Sequence, residues 1–142
     1  MHDPLQDLAS LTDALYRAEL TKVEKLNARE ASLRRDLAEL EMRRRNSRNL
    51  PHTELTPVRQ IGADVFWEGW LSRTHADLNT QLAQVLAQKA HMMAGLRRAF
   101  GKQAAAANLV DRAAQEKTQR REKQYRQSQD ALQLLKSQKT EW

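Results

Sequence analysis

The sequence predicts an all-α protein: a long two-helix antiparallel coiled-coil hairpin in which the second helix is longer than the first. Apolar residues recur at steps of three and four along two long stretches, which is the spacing of a coiled-coil seam. Between these stretches, residues 46–57 (NSRNLPHTELTP) bring together two Asn, a Ser and two Pro, so the chain must turn there. Only 4 Gly and 3 Pro occur in 142 residues, and long stretches therefore contain nothing that would stop a helix.

The composition favours a chain that buries a narrow apolar stripe rather than a chain that forms a thick hydrophobic core. Hydrophobic residues make up 40% of the chain, charged residues 30% and aromatic residues only 5%. We expect a single coiled-coil domain, residues 1–142. Cysteine is absent, which excludes disulfides, thiolate catalysis and cysteine metal sites. The formal net charge of +6 favours an acidic partner without choosing which kind.

Helix one is predicted over about residues 4–46, with Asp3 as its N-cap and Pro4 in its first turn. Two sets of apolar residues define its predicted seam. They are Leu8, Leu11, Leu15 and Ala18, followed by Val23, Leu26, Leu33, Leu37 and Leu40. The register slips by one residue between the sets, which predicts a local change in supercoil near residues 19–23.

The turn is predicted over about residues 47–60 and helix two over about 61–139. One seam register holds along helix two, and its occupants change from large and apolar, to small in residues 104–107, to polar after residue 117. The predicted seam runs through Leu71, His75, Leu78, Leu82, Val85, Lys89, Met92, Leu96, Ala99, Gln103, Ala106, Val110 and Ala113, and on to Leu134. We interpret His75 as a polar residue tolerated on the seam.

The helix lengths predict that helix two outlasts its partner. If the turn centres near Glu54, Leu37 lies opposite Leu71 and Leu8 lies near Phe100. The pairing with helix one then extends to about residue 105 of helix two, which leaves about 35 residues of helix two unpaired, on the order of 50 Å. Basic residues in this part are mixed with acidic ones, typical of a solvated helix with i,i+4 ion pairs, and they are candidate contacts for a partner. They are Arg112, Lys117, Arg120, Arg121, Lys123 and Arg126.

An aromatic cluster marks the turn end of helix two. We call Phe66, Trp67, Trp70 and Leu71 the tip cluster; spacings of three and four place most of it on one helix face, and Gly69 would allow a close approach. The cluster is interpreted either as a plug that packs on helix one and the turn, or as an exposed docking site for a partner. The expected packing partners of a plug are Leu37, Leu40, Leu50 and Leu55.

Catalytic signals are missing. The four His residues are far apart, and no phosphate loop, HExxH or GxSxG motif occurs, so we expect no enzyme activity, cofactor or metal ligand. The N-terminus carries no signal peptide and no 18 apolar residues follow one another, which predicts a cytoplasmic protein. A basic run ends helix one without an acidic neighbour, and we interpret it as helix-end stabilisation. This run is Arg43, Arg44, Arg45 and Arg48.

The size, the two long helices and the run RRAFGKQAAAANLVDRAAQEKTQRREKQYRQ resemble the flagellar export protein family FliJ and its injectisome counterpart YscO. This resemblance implies an antiparallel hairpin that acts as a central stalk of the hexameric export ATPase, similar to the γ subunit of rotary ATPases, and that also contacts the export gate. It implies that the late basic residues and the N-terminal segment meet the ATPase ring. It also implies that the tip cluster faces the gate and that any membrane contact is through partners. No small-molecule substrate is expected. The alternatives are a generic coiled-coil adaptor and a nucleic-acid-binding helical arm. The second is less favoured, because the sequence lacks the long basic runs interleaved with aromatic residues that nucleic-acid binding would need.

Overall fold

The computed structural model describes residues 2–49 and 57–140, and the side chains of residues 2–49 and 62–140. Two α-helices account for this part of the chain: α1, Pro4–Arg48, and α2, Pro57–Lys139. The predicted all-α hairpin with a longer second helix is confirmed. Helix α1 ends two residues later than predicted and α2 begins four residues earlier. The predicted turn residues 50–56 lie outside the described residues.

The start of α1 is fixed by a side-chain cap. The backbone N–H of Leu5 donates to Asp3 Oδ1 at 3.0 Å, and Pro4 is the first helical residue. An Asp side chain that accepts from the first turn satisfies a donor which has no partner within the helix. The predicted N-cap is confirmed.

The chain divides into two compact units, and the larger one comprises Arg17–Arg97. Here the helices pair antiparallel, because contacts pair rising residue numbers in α1 with falling numbers in α2. Lys89 Nζ donates to Glu30 at 2.9 Å, and Arg44 lies 3.4 Å from Glu68. Large aliphatic side chains form the core of this unit: Val23, Leu33, Leu40, Leu71 and Val85.

The second unit comprises Met1–Tyr16 and Arg98–Trp142. Its core is made of smaller groups, with Ala106 and Thr12 buried. The Thr12 hydroxyl donates to the backbone carbonyl of Leu8 at 2.9 Å, so burial leaves it satisfied. Tyr16 contacts Phe100 with ring centroids 5.8 Å apart, and Gln103 Nε2 donates to Asp13 Oδ1 at 2.7 Å, so α1 and α2 pair antiparallel here too.

The predicted register slip in α1 is wrong. The side chains that α1 turns inward follow one register of threes and fours, which we call the core face: Leu5, Ala9, Thr12, Tyr16, Glu19, Val23, Leu26, Glu30, Leu33, Leu37 and Leu40. Leu8, Leu11 and Leu15, which we call the leucine stripe, are instead 41%, 58% and 51% exposed. The spacing continues unbroken from Val23 back to Leu5, so the buried and half-buried positions fit one seam register.

The predicted seam of α2 is confirmed from Leu71 to Ala113, where every position except one is buried or half-buried. The exception is His75, which is exposed and accepts a hydrogen bond from Asn79 Nδ2 at 3.1 Å on one assignment of its tautomer. His75 nevertheless lines the small cavity that Leu71 shares with Leu40 and Arg44 of α1, which agrees with its interpretation as a polar residue tolerated on the seam.

The two helices pair one to two turns away from the predicted alignment. Leu71 shares a small cavity with Leu40 and Arg44, and Phe100 lies against Tyr16, where Leu37 and Leu8 were expected. The prediction assumed that pairing starts at the turn. In the structure the α2 side chains of residues 62–67 are exposed, and pairing with α1 is seen from Glu68 onward.

The same shift lengthens the paired part of α2. Ala113 is the last half-buried residue of α2, eight positions beyond the predicted limit, and every side chain after it that the structure describes is exposed. We call Ala114 to Lys139 the overhang. At 1.5 Å per residue it extends roughly 40 Å, somewhat shorter than the predicted unpaired part.

Candidate partner-binding surfaces

The tip cluster is mostly open to solvent. Phe66 is 80% exposed, Trp67 38% and Trp70 41%, whereas Leu71 is 2% exposed and belongs to the core. The two indole rings stack on each other, with centroids 5.2 Å apart and planes 22° from parallel. Phe66 lies in the part of α2 before its pairing with α1, so no α1 side chain covers it. The cluster therefore divides into one core residue and three accessible aromatic rings.

A shallow groove runs beside Trp70. It encloses about 280 Å³ and is lined by Asp36, Glu39, Leu40, Arg43, Trp70, Thr74 and Leu78. Of the predicted packing partners of the tip, Leu40 lies in this groove, while Leu50 and Leu55 lie outside the described residues. The predicted close approach at Gly69 is wrong, because a Cβ added there meets no atom within 4 Å.

The basic run at the end of α1 does have acidic neighbours, so the sequence interpretation on this point is wrong. Arg44 and Arg48 reach Glu68 of α2 at 3.4 and 3.8 Å. Arg43 and Arg45 pair with Glu39 and Glu41 one turn earlier, at 2.7 and 3.5 Å. Sequence reasoning missed Glu68 because it belongs to the other helix, and only the shifted alignment brings it opposite this run.

A charged pair also sits in the seam of the larger unit. Glu30 accepts from Lys89 Nζ at 2.9 Å and pairs with Arg34 at 3.0 Å. The hydrogen bond from Lys89, with that from Arg34 second, lowers the pKa of the Glu30 carboxyl below its usual value. A polar pair on a seam of mainly apolar residues favours one alignment of the helices over others.

The overhang carries a strong excess of positive charge. Residues 114–140 contain seven Lys or Arg and three Asp or Glu, so this segment holds +4 of the chain's net +6. All six predicted contact cations are exposed, with Arg112 just before the overhang and the others inside it. In the described part of the chain none of the six forms an ion pair, so the predicted i,i+4 pairs are absent.

The leucine stripe is a surface that sequence reasoning placed in the core. Its signal was available, because extending the Val23 register backward in strict steps selects Tyr16, Thr12 and Ala9 and leaves the leucines outside. The prediction gave the hydrophobicity of leucine more weight than its spacing.

No family model, curated protein or solved structure matches this chain. Among the residues that the structure describes, no three His, Asp or Glu side chains come together as ligands for a metal ion. Neither described helix has a stretch long and apolar enough to cross a membrane. The surfaces available for function are thus the tip cluster, the overhang and the leucine stripe.

Proposed function

We propose that this protein is a non-enzymatic accessory stalk of a flagellar or type III protein export apparatus. It contacts the hexameric export ATPase through the overhang and Arg112, and the export gate through the exposed aromatic residues of the tip cluster. The observation that carries the proposal is the overhang, a single exposed helix that continues after the two-helix pairing ends at Ala113. The resemblance of the sequence to the FliJ and YscO stalk family supports the same assignment.

The overhang has the surface that a shaft within a ring requires. Between Ala114 and Asp130 its only large apolar side chain is Tyr125, so this part of the overhang has no apolar stripe that would hold it to one subunit. The exposed Leu132, Leu134 and Leu135 follow after it. Each exposed charge pair with the ring contributes about 0 to 1 kcal/mol, so several weak contacts act together and can be exchanged. Such contacts weaken as added salt shortens the screening length.

The tip cluster has the composition of an interaction hot spot. Trp and other aromatic side chains dominate binding energy when a partner buries them, and three exposed rings lie within five residues here. Two of these rings are already stacked, which reduces the entropy lost when a partner orders them. The proposal therefore assigns the tip cluster to the gate and the overhang to the ATPase.

The ATPase contact is tested with the cognate export ATPase, assembled as a hexamer, and this protein in its full length. We expect stimulation of ATP hydrolysis that declines with added salt and is lost when the chain is truncated after Ala113. A fourfold variant, Arg120→Gln, Arg121→Gln, Lys123→Gln and Arg126→Gln, should lose most of the stimulation.

The matched control changes an equal number of uncharged positions on the same helix: Gln119→Ala, Gln124→Ala, Gln127→Ala and Gln129→Ala. It should stimulate like the unchanged protein, because the positive charge of the overhang is intact. An ATPase rate that does not respond to the full chain, under conditions where the ring assembles, rejects the stalk assignment.

The gate contact is tested separately with the cytoplasmic domain of the cognate export gate. Replacing Phe66 by Ser should weaken binding on the order of tenfold or more, because hot-spot aromatics cost at least about 2 kcal/mol when truncated. Phe100→Ser is the control, as Phe100 is also exposed but lies against Tyr16, away from the tip cluster. Equal binding by both variants would remove the tip cluster from the gate interface.

A generic coiled-coil adaptor is the second candidate, and the leucine stripe is the observation that favours it. An adaptor binds partners through such a surface without altering an ATPase. The ATPase experiment separates the two candidates, since only the stalk changes the rate. A nucleic-acid-binding arm would instead be indicated by salt-dependent binding of a labelled oligonucleotide that the fourfold overhang variant abolishes.

A further inference from the structure

The leucine stripe has the residue spacing of a helix-binding surface, but it does not lie on the face of α1 that pairs with α2. Leu8, Leu11 and Leu15 are spaced by three and four, so they share one face of α1. That face is neighbouring but not identical to the core face, and all three leucines are about half exposed. Three leucines at this spacing are the anchors of a helix that lies against another helix.

Residues of α2 extend this surface in the same compact unit. In the sequence, Leu8 and Leu15 each stand one position before a core-face residue of α1. Leu109 likewise stands one position before the seam residue Val110 of α2. In an antiparallel pair, positions that directly precede the seam lie on the same side of both helices. The same relation holds where Arg29 donates to Gln81 at 2.7 Å. The exposed Leu109 therefore lies on the side of the pair that carries the leucine stripe.

Positive charge borders this apolar surface. Lys102 directly precedes the seam residue Gln103, as Leu109 precedes Val110, so Lys102 and Leu109 lie in one row along the same side of α2. Arg98 and Arg112 lie in the neighbouring row of α2, one step further from the seam. All three cations are exposed, and none forms an ion pair with a described residue. The nearest acidic groups on this side, Asp7 and Glu116, lie at its ends. The surface is a leucine row with a cationic border.

The charge pattern indicates which kind of partner binds to this surface. A second copy docked on this surface would add three more cations to the contact and no carboxylates beside its leucines to compensate them, which disfavours self-association. A helix with acidic residues beside its apolar row would place carboxylates against Arg98, Lys102 and Arg112.

We propose that the leucine stripe and Leu109 bind an amphipathic helix of another protein, whose apolar row is flanked by Asp or Glu. Leucine-sized side chains of that helix pack between Leu8, Leu11 and Leu15, and its carboxylates pair with the cationic border. This site goes beyond the stalk assignment, since it needs neither the ATPase nor any residue of the overhang, and it shares only Arg112 with the proposed ATPase contact.

The probes are two synthetic helical peptides with the same leucine row, one flanked by Glu and the other by Lys. Fluorescence anisotropy of each labelled peptide with the full chain should give on the order of tenfold or more tighter binding of the Glu peptide, a preference that added salt reduces. The variant Leu8→Gln, Leu11→Gln, Leu15→Gln should abolish binding while circular dichroism shows that the helices persist. The variant Arg98→Glu, Lys102→Glu, Arg112→Glu should reverse the preference toward the Lys peptide.

The control variant Leu132→Gln, Leu135→Gln removes two exposed leucines of the overhang and should bind the Glu peptide like the unchanged chain. Equal binding of both peptides, or binding of neither, overturns the proposal. Loss of binding in the control variant would place the site in the overhang and also overturns it. Sedimentation equilibrium that shows self-association, lost on changing the leucine stripe to Gln, would assign the surface to a second copy.

Discussion

Two stretches of α1 differ in which helix face carries their leucines. Between Val23 and Leu40 the core face holds valine and leucine, and these residues pack against α2. In the first four turns the core face holds Leu5, Ala9, Thr12 and Tyr16, while the leucine stripe lies on the neighbouring face and is about half exposed. One register runs through both stretches. Burial in this protein therefore follows residue spacing, and apolar side chains outside the seam register remain available for other contacts.

The largest effect is expected from truncating a leucine of the core face. Leu33 is completely buried, so Leu33→Ala should lower the free energy of unfolding by about 2 to 5 kcal/mol, through lost burial and the cavity left behind. Leu11→Ala removes the same atoms from a surface position and should change it by no more than about 0.5 kcal/mol. Urea unfolding followed by circular dichroism compares the two variants. Equal losses of unfolding free energy would support the slipped register instead.

Overpacking tests the small core of the other stretch. Ala106 is buried and Ala105, its neighbour in sequence, is exposed. We expect Ala106→Leu to destabilise the protein by about 1 to 3 kcal/mol, because extra methylenes in a packed seam force the helices apart. Ala105→Leu should be nearly neutral. Thermal unfolding of both variants decides the matter, and an unchanged melting temperature for Ala106→Leu would mean that the seam there is loose.

The charged pair in the seam predicts a pH dependence. The pKa of Glu30 lies below its usual value of 4.5 in the folded protein, so its ionised form contributes stability above that pH. This contribution is lost as the pH falls below about 4.5 and through the lower folded-state pKa. We expect Lys89→Met to reduce the acid-dependent loss of stability, whereas Lys25→Met, which removes an exposed charge, should leave it intact. Identical acid profiles for both variants would contradict a role for the pair.

The smallest effect concerns two helical glycines. A Cβ added at Gly69 meets nothing within 4 Å, so Gly69→Ala should stabilise the protein by roughly 0.5 to 1 kcal/mol through helix propensity alone. At Gly95 the new methyl would lie 3.2 Å from Glu19 Oε2, and the gain should be smaller. Thermal unfolding of the two variants measures the difference, and a larger gain at Gly95 would contradict the close approach of Glu19.

The sequence predicted the fold class, the N-cap and the seam of α2, because each depends on local spacing or on one residue type. It misplaced the leucine stripe, where hydrophobicity and spacing disagreed. It also misaligned the helices by one to two turns, because the position of a turn does not determine where pairing begins. Contacts between helices, such as Glu68 with Arg44, depend on that alignment and were therefore missed.

The stalk assignment is tested most directly by photo-crosslinking to the assembled export ATPase hexamer. A benzoylphenylalanine placed at Arg120 lies in the overhang, and one placed at Glu24 lies on an exposed face of the paired part of α1. We predict that the Arg120 probe crosslinks to the hexamer in a salt-sensitive manner and that the Glu24 probe does not. No crosslink from Arg120 to an assembled hexamer, or equal crosslinking from both positions, would contradict the assignment.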